Sequence, residues 1–533
     1  MIDSLTPWEQ VAFFAALAVI VVNLVWTIWL FRRARGPAGQ VDEGEATTDD
    51  FTWVFFVPAL NEEVTIADSV TRLLDVSCRD RHIVVIDDAS DDRTPDVLAA
   101  LDAPGLVVVR RELPDARVGK ASALNDAWRR LPSLLGDVDS ERTIVCIVDA
   151  DGRLDADAPS KVVDHFADPG VGGVQVRVRI YNRQRMLTRA QDIEFGVYGL
   201  LYQAARSTVG TAGMGGNGQF NRLAALNDVA DEEGPWRHKL TEDQDIGLRM
   251  LEAGWRCGHD NRASVEQQGL SNLRRLLRQR TRWSQGNLQA MVHLGSVPGY
   301  QLTRRARLDQ AWYLLQPVAS AVVGVGVLAA LVASITRGVE LLPEAWMWLA
   351  AALVLAFGGV VLGVTARTGR DPQAWLIAVT IGIAYSFYAW LLWPALMRAT
   401  WRQLRAKGAW AKTEREAITG APALAAAVQM VQPVLRPISS PLPSTPSRSP
   451  SRPANRPTRR PPTESCGNRY RSRGRERDAI RKIGAEPTIP VHQVLWDVIA
   501  ELPLNERAAA VLRFYGGSLR PALAAQSTLR RVP

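Results

Sequence analysis

The chain is poor in cysteine, with four in 533 residues (Cys78, Cys146, Cys257 and Cys466) and no CxxC spacing among them. That pattern excludes a zinc-ribbon or disulfide-stapled scaffold and fits a reducing compartment. The main body also lacks a basic excess. The formal net charge is +8, but residues 434–485 alone hold thirteen Lys/Arg against three acids, which leaves the remaining chain at −2. The positive balance belongs to one stretch, and no nucleic acid is expected as a partner of the body. Two nucleotide-loop signatures are missing as well. Gly119-Lys120 looks like the end of a phosphate loop, yet Pro114 stands where that loop needs Gly, and Ala121 replaces its Mg²⁺-binding Ser/Thr. A Walker ATPase is excluded. The Gly-rich run GTAGMGGNGQF lies far downstream of the first strand-like run, which itself has no Gly-rich turn. A Rossmann dehydrogenase is disfavoured.

Long apolar runs are present. Residues 11–31 form one long enough to cross the ~30 Å of membrane hydrocarbon as a helix. Asp3 and Glu9 precede it, and Arg32, Arg33 and Arg35 follow, so the positive-inside rule places the residues after it in the cytoplasm. With no positive stretch before it and no small-residue cleavage signal after it, the run reads as an uncleaved anchor. Three more apolar stretches lie near residues 308–335, 345–364 and 374–397. Together they predict a multi-pass protein of the plasma membrane with a cytoplasmic soluble domain. Three full spans would, however, leave Arg398, Arg402, Arg405 and Lys407 outside, against the same rule. Either one stretch is interfacial or re-entrant, or the tail is external.

Between the anchor and the later runs the pattern is α/β. Apolar, β-branched runs at residues 53–57, 83–86, 106–109 and 144–148 alternate with helical stretches, which predicts a mostly parallel sheet with flanking helices. The fourth run, within TIVCIVDADG, breaks directly into Asp149, Ala150 and Asp151. In open α/β sheets ligands bind beyond the carboxyl ends of the strands. Two carboxylates spaced by one residue there suit a hard divalent cation and a phosphate-bearing ligand. The second run likewise ends in Asp87-Asp88-Ala89-Ser90. Further on, Thr241-Glu242-Asp243 opens an apolar-periodic stretch, as acids favour the positive end of a helix. A basic helix with an apolar face follows at residues 273–291, a composition suited to a membrane surface.

Taken in order, ALNEE, DDAS, GKASALN, DAD, TED and QRTRW resemble the motif series of the membrane-integrated family-two glycosyltransferases. That group includes cellulose, hyaluronan and poly-N-acetylglucosamine synthases and related glycolipid synthases. The resemblance covers residues 51–300 and extends to the flanking spans, with WAKTER at residues 410–415 also family-like. It implies a GT-A fold, a UDP-sugar donor, and Mg²⁺ or Mn²⁺. It further implies that Asp149 and Asp151 hold the metal, with Asp151 the closer ligand and Asp149 facing the donor. Asp87, Asp88 and Lys120 would position the nucleotide and its phosphates, and Arg282 would clamp the diphosphate. Asp243 matches the general base; Glu242, Gln279 and Trp283 fall to the acceptor. The expected activity is inverting transfer of a hexose or N-acetylhexosamine to a growing polysaccharide, with a membrane lipid as the alternative acceptor and a non-catalytic, membrane-anchored nucleotide-binding protein as the further alternative.

The expected organisation is an anchor and linker (1–50), a catalytic domain (51–300) and a membrane region (301–415). A Pro/Arg/Ser-rich disordered tail (416–485) and a short helical remnant (486–533) follow. The remnant, VLWDVIAELPLNERAAAVLRFYGG, resembles the start of the DNA-binding region of extracytoplasmic-function sigma factors. The recognition helix that should follow is missing, so no DNA binding is expected.

Overall fold

The strand that fixes the sheet is β1 (Thr52–Ala59), whose side chains are buried on both faces. Trp53, Phe55 and Val57 face one core, which is closed by helices α2 (Ile66–Leu74), α3 (Thr94–Ala99) and α5 (Ala158–Phe166). Val54 and Phe56 face the other, closed by α4 (Lys120–Leu135), α8 (Leu223–Asp228) and α9 (Glu242–Glu252). This is why the run reads as continuously apolar: strict alternation sends every residue into one of two dry layers. Full burial of each such side chain stabilises by about 1.5–3 kcal/mol. The computed structural model describes residues 6–34, 46–101, 103–338 and 372–405. The expectations for residues 345–364, 410–415, 416–485 and 486–533 lie outside these.

The sheet has eight strands in the order β3-β2-β1-β4-β7-β6-β8-β5. The four strands legible in the sequence are β1, β2 (Arg81–Asp87), β3 (Leu106–Arg110) and β4 (Thr143–Ile147); they pair in parallel, as expected. The other half mixes directions. β7 (Gln219–Arg222) is antiparallel to both β4 and β6 (Val171–Ile180), β8 (Arg256–Gln267) is parallel to β6, and the short β5 (Arg153–Leu154) closes the edge antiparallel to β8. β7 and β8 escaped sequence reading because they are polar, whereas β6 does alternate apolar residues (Val174, Val176, Val178, Ile180) and was not picked out. Gln219, Asn221 and Arg222 are buried and satisfied by hydrogen bonds to one another or to neighbouring backbone, so no apolar period announces them.

Among the described residues three helices are long and apolar enough to cross a membrane: α1 (Pro7–Ala34), α11 (Arg304–Arg337) and the 379–404 part of α12 (Pro372–Leu404). α1 and α11 run antiparallel, with Glu9 paired to Arg337 at one end and Trp26 Nε1 donating to Asp309 Oδ1 at 2.8 Å toward the other. At that second end Arg33 Nε reaches Thr208 Oγ1 of the α/β domain (2.9 Å). The arginine end of α12 also meets this domain: Arg402 Nε donates to Gln285 Oε1 on α10 (Leu273–Ala290) at 3.0 Å. Arg33 and Arg402 therefore lie on the side of their helices that meets the domain.

Candidate active site

The site forms where β4 ends. Its turn is tight: a Cβ on Gly152 would fall 2.8 Å from both Asn217 Oδ1 and the Asp149 carbonyl, so only glycine fits. Asn217 Oδ1 accepts from the Asp149 amide (3.1 Å), and Asp151, buried, accepts through Oδ2 from the Gln268 amide (3.0 Å). The DAD turn is thus held by the loop that leads into β7 and the one that follows β8, elements remote in sequence.

Lys120, the first residue of α4, spans the site. Its Nζ lies 2.6 Å from Asp149 Oδ1 and 4.0 Å from Glu242 Oε1. Burial works against its charge, but the surrounding Asp149, Glu242 and Asp243 carboxylates outweigh that and raise its pKa. The TED turn opens α9 opposite. Asp243 Oδ1 accepts from the Gln244 amide at 2.8 Å. Gly216, at φ +80, is pressed against the other oxygen: a Cβ there would lie 2.9 Å from Asp243 Oδ2 and 3.4 Å from Lys120 Nζ. Burial, followed by the charge of Asp243, pushes Glu242 up to about 7. Burial also raises Asp243, while Lys120 and Arg282 pull it back. Burial thus holds both carboxyls above the ordinary carboxylate range, and a raised carboxylate is a stronger base.

Asp88 is buried in an ion pair with Arg111 and lines the same cavity as Lys120 and Asp149. Asp87 does not. Its carboxylate is occupied by Arg110 and by the Ser90 amide (2.9 Å), so it shapes the turn that carries Asp88 rather than forming part of the cavity wall. Arg282 projects from α10 into the cavity and, among the described residues, forms no ion pair. Gln279 and Trp283 lie on the same wall.

Two groups of contacts, around Arg280 and around Tyr313, were not singled out in the sequence. Arg280, inside the QRTRW run, is buried. It pairs with Glu194 of α6 (Met186–Val197) at 2.6 Å and lies 4.2 Å over the Trp283 ring. Glu194 also accepts from Tyr388 of α12 (2.8 Å), tying the motif to a membrane helix. Tyr313, on α11, accepts from Gln244 Nε2 at 3.1 Å, next to Asp243. Its ring is covered by Arg206 at 3.9 Å, which is paired with the fully buried Asp309 at 2.9 Å. No local pattern could have flagged these contacts, because each partner comes from a different element.

Together these residues surround a cavity of about 910 Å³ that continues between α1, α11 and α12. Among the described residues no three His, Cys, Asp or Glu side chains form a ready metal cage. Asp149 and Asp151 nevertheless offer the hard oxygen donors that Mg²⁺ or Mn²⁺ takes. Such a cation keeps water or phosphate oxygens in its remaining positions, so two carboxylates at the lip of the cavity fit it.

Sequence comparison agrees with this arrangement. Residues 54–225 match the model of Glycosyl transferase family 2, and residues 144–361 that of Glycosyl transferase family group 2. The β-monoglucosyldiacylglycerol synthase of Synechocystis sp. is 33% identical over 299 residues, covering 51% of this chain and 60% of that protein. The poly-β-1,6-N-acetyl-D-glucosamine synthase of Staphylococcus aureus is 27% identical over 259 residues, covering 48% of this chain and 58% of its own. The chain thus spans about 60% of the length of the relatives it matches. Among solved structures, a mannosyltransferase from Pyrobaculum calidifontis in complex with GDP-Man and Mn²⁺ aligns at 19% identity and a TM-score of 0.49, over 75% of this chain and 99% of that one. Two overlapping family models thus span the sheet, its acidic turns and α10, and residues 54–361 carry family-two glycosyltransferase domains.

Proposed function

We propose that the protein is an inverting, membrane-bound β-glycosyltransferase that moves a hexose or N-acetylhexosamine from a UDP-sugar on the cytoplasmic face of the plasma membrane. The observation that carries this reading is the convergence of Lys120, Asp149, Asp151, Glu242, Asp243 and Arg282 on one cavity that continues among the membrane helices. Lys120 and Arg282 supply positive charge where the diphosphate leaves. Asp149 and Asp151 would hold Mg²⁺ or Mn²⁺, which when bound stabilises the leaving diphosphate. Asp243 accepts the proton of the acceptor hydroxyl as that oxygen attacks the anomeric carbon. Trp283, stacked by Arg280, presents a flat apolar face to the acceptor sugar or headgroup. One displacement with one base inverts the anomeric centre, giving a β-linkage from an α-linked donor.

Two acceptors are consistent with this site. A growing polysaccharide is supported by the relatives named as poly-N-acetylglucosamine synthases. A membrane lipid is supported by the more similar relatives named as β-monoglucosyldiacylglycerol synthases and by the apolar part of the cavity wall. Membranes carrying the protein, given labelled UDP-glucose or UDP-N-acetylglucosamine with Mg²⁺, should yield Asp243-dependent product. Extraction into chloroform or retention as polymer identifies the acceptor. No Asp243-dependent transfer from any nucleotide sugar would refute the reading.

A further inference from the structure

The membrane end of the cavity carries a small set of uncharged hydrogen-bonding groups that the reaction chemistry does not use. Asn23 lies ten residues before Arg33 on α1, about 15 Å along the helix at ~1.5 Å per residue. Its oxygen accepts from two donors, Trp312 Nε1 (3.3 Å) and Gln316 Nε2 (3.0 Å). That pairing fixes which way the amide points and leaves its NH₂ with no hydrogen-bond partner among the described residues. Asn23, Gln316 and Ser320 all line the cavity. Tyr313, Gln316 and Ser320 recur at i, i+3 and i+7 and so follow one face of α11, starting beside Gln244 and extending about 10 Å into the span. Around them the wall is aliphatic (Ile20, Leu24, Val323), and Trp393 packs on Gly324, where a Cβ would fall 1.9 Å from its Nε1. Bare donors inside a membrane span are costly and mark ligand paths.

The geometry points to a subsite for the polar core of a glycerolipid acceptor: the free hydroxyl beside Asp243, an ester carbonyl on the Asn23 NH₂ and Ser320 hydroxyl, and the acyl chains along Ile20, Leu24 and Val323. This rests on the glycosyl-transfer reading and selects the lipid among its two acceptors. The chemistry of the donors makes the choice. Ester carbonyls only accept hydrogen bonds, and the Asn23 amide is oriented to donate. A sugar chain at the same depth would need acceptors and donors around each ring, and the wall there, set by Ile20, Leu24, Val323 and the Trp393 indole, offers few beyond Asn23, Gln316 and Ser320.

The full-length protein is reconstituted in phosphatidylcholine vesicles with labelled UDP-sugar and Mg²⁺. Two acceptors are compared, dioleoylglycerol in the bilayer and a soluble cello-oligosaccharide. Asn23→Leu and Ser320→Ala should raise the KM for dioleoylglycerol about tenfold and about threefold, with the change confined to the acceptor and absent from the donor KM. A diazirine-bearing diacylglycerol should label peptides of α1 or α11 in the wild-type protein and be displaced by unlabelled dioleoylglycerol, a readout independent of how the variants fold. Unchanged lipid KM in both variants, labelling elsewhere, or an effect on the oligosaccharide alone would overturn the subsite. Absence of transfer to either acceptor by the wild-type protein would instead overturn the glycosyltransferase reading itself.

Discussion

The two ends of the cavity are built from different chemistry. The sheet end concentrates charge: Asp88, Lys120, Asp149, Glu242, Asp243 and Arg282. The membrane end is neutral, with Asn23, Gln316 and Ser320 set among aliphatic and indole side chains. A diphosphate and a moving proton need fixed charges that neighbouring groups can hold in a low dielectric. An uncharged acceptor in a hydrocarbon setting needs only a few aimed donors, because every further polar group there costs free energy. The seam between the ends is the Arg206–Asp309 pair with Tyr313 and Gln244, which connects α11 to the turn carrying Asp243, the proposed base.

That contrast can be broken most severely at Asp243. Asp243→Asn should lower transfer by about 10²–10⁴-fold while UDP-sugar still binds, as titration calorimetry on the purified protein would show. Retained transfer would remove the base from the sheet end. Next comes the seam. Arg206→Met leaves Asp309 buried without its cation, and loss of one partner of such a pair costs about 3–5 kcal/mol. Thermal inactivation in detergent should fall to a lower temperature, and Asp309→Asn in the same chain should recover most of the loss. Arg282→Ala is smaller. Losing one charge-assisted contact worth about 1.5–3 kcal/mol should raise the donor KM about 10–100-fold without moving the acceptor KM, so that the two ends separate kinetically.

The smallest effect is a shift in pH profile. Glu242 is raised to about 7 by burial and by Asp243, and Asp243 is itself raised by burial. The base works only when deprotonated, so the rate should climb with pH as Asp243, raised by burial, loses its proton. Glu242→Gln removes the like charge beside Asp243, lowers the pKa of that base and moves the rising limb to lower pH. A limb that stays in place would mean that the two carboxyls titrate independently.

Much of the sheet end was legible because its signals are local. Strands β1, β2 and β4 are continuous apolar runs that break into acids, and parallel topology brings such ends to one edge. Asp87 shows the limit of that reading. It shares a motif with Asp88, yet the strand alternates its side chains, and Arg110 from the neighbouring β3 takes its carboxylate. β7 and β8 were illegible for the opposite reason: their buried amides and arginines are satisfied by partners dozens of residues away. Arg280 sat within a recognised motif, but its role depends on Glu194 and Tyr388 from two other helices.

By itself the sequence determined the composition of the chemistry: which acids, which cations, and a set of apolar helices beside an α/β domain. Those choices are written in side-chain type and in periods of two and 3.6 residues, which need no partner to be read. Only the tertiary structure decided which carboxylates share a cavity, that α11 reaches the TED turn through Tyr313, and that Asn23 lines the same space. Each of these depends on distances between elements far apart in the chain, and such distances are set by packing.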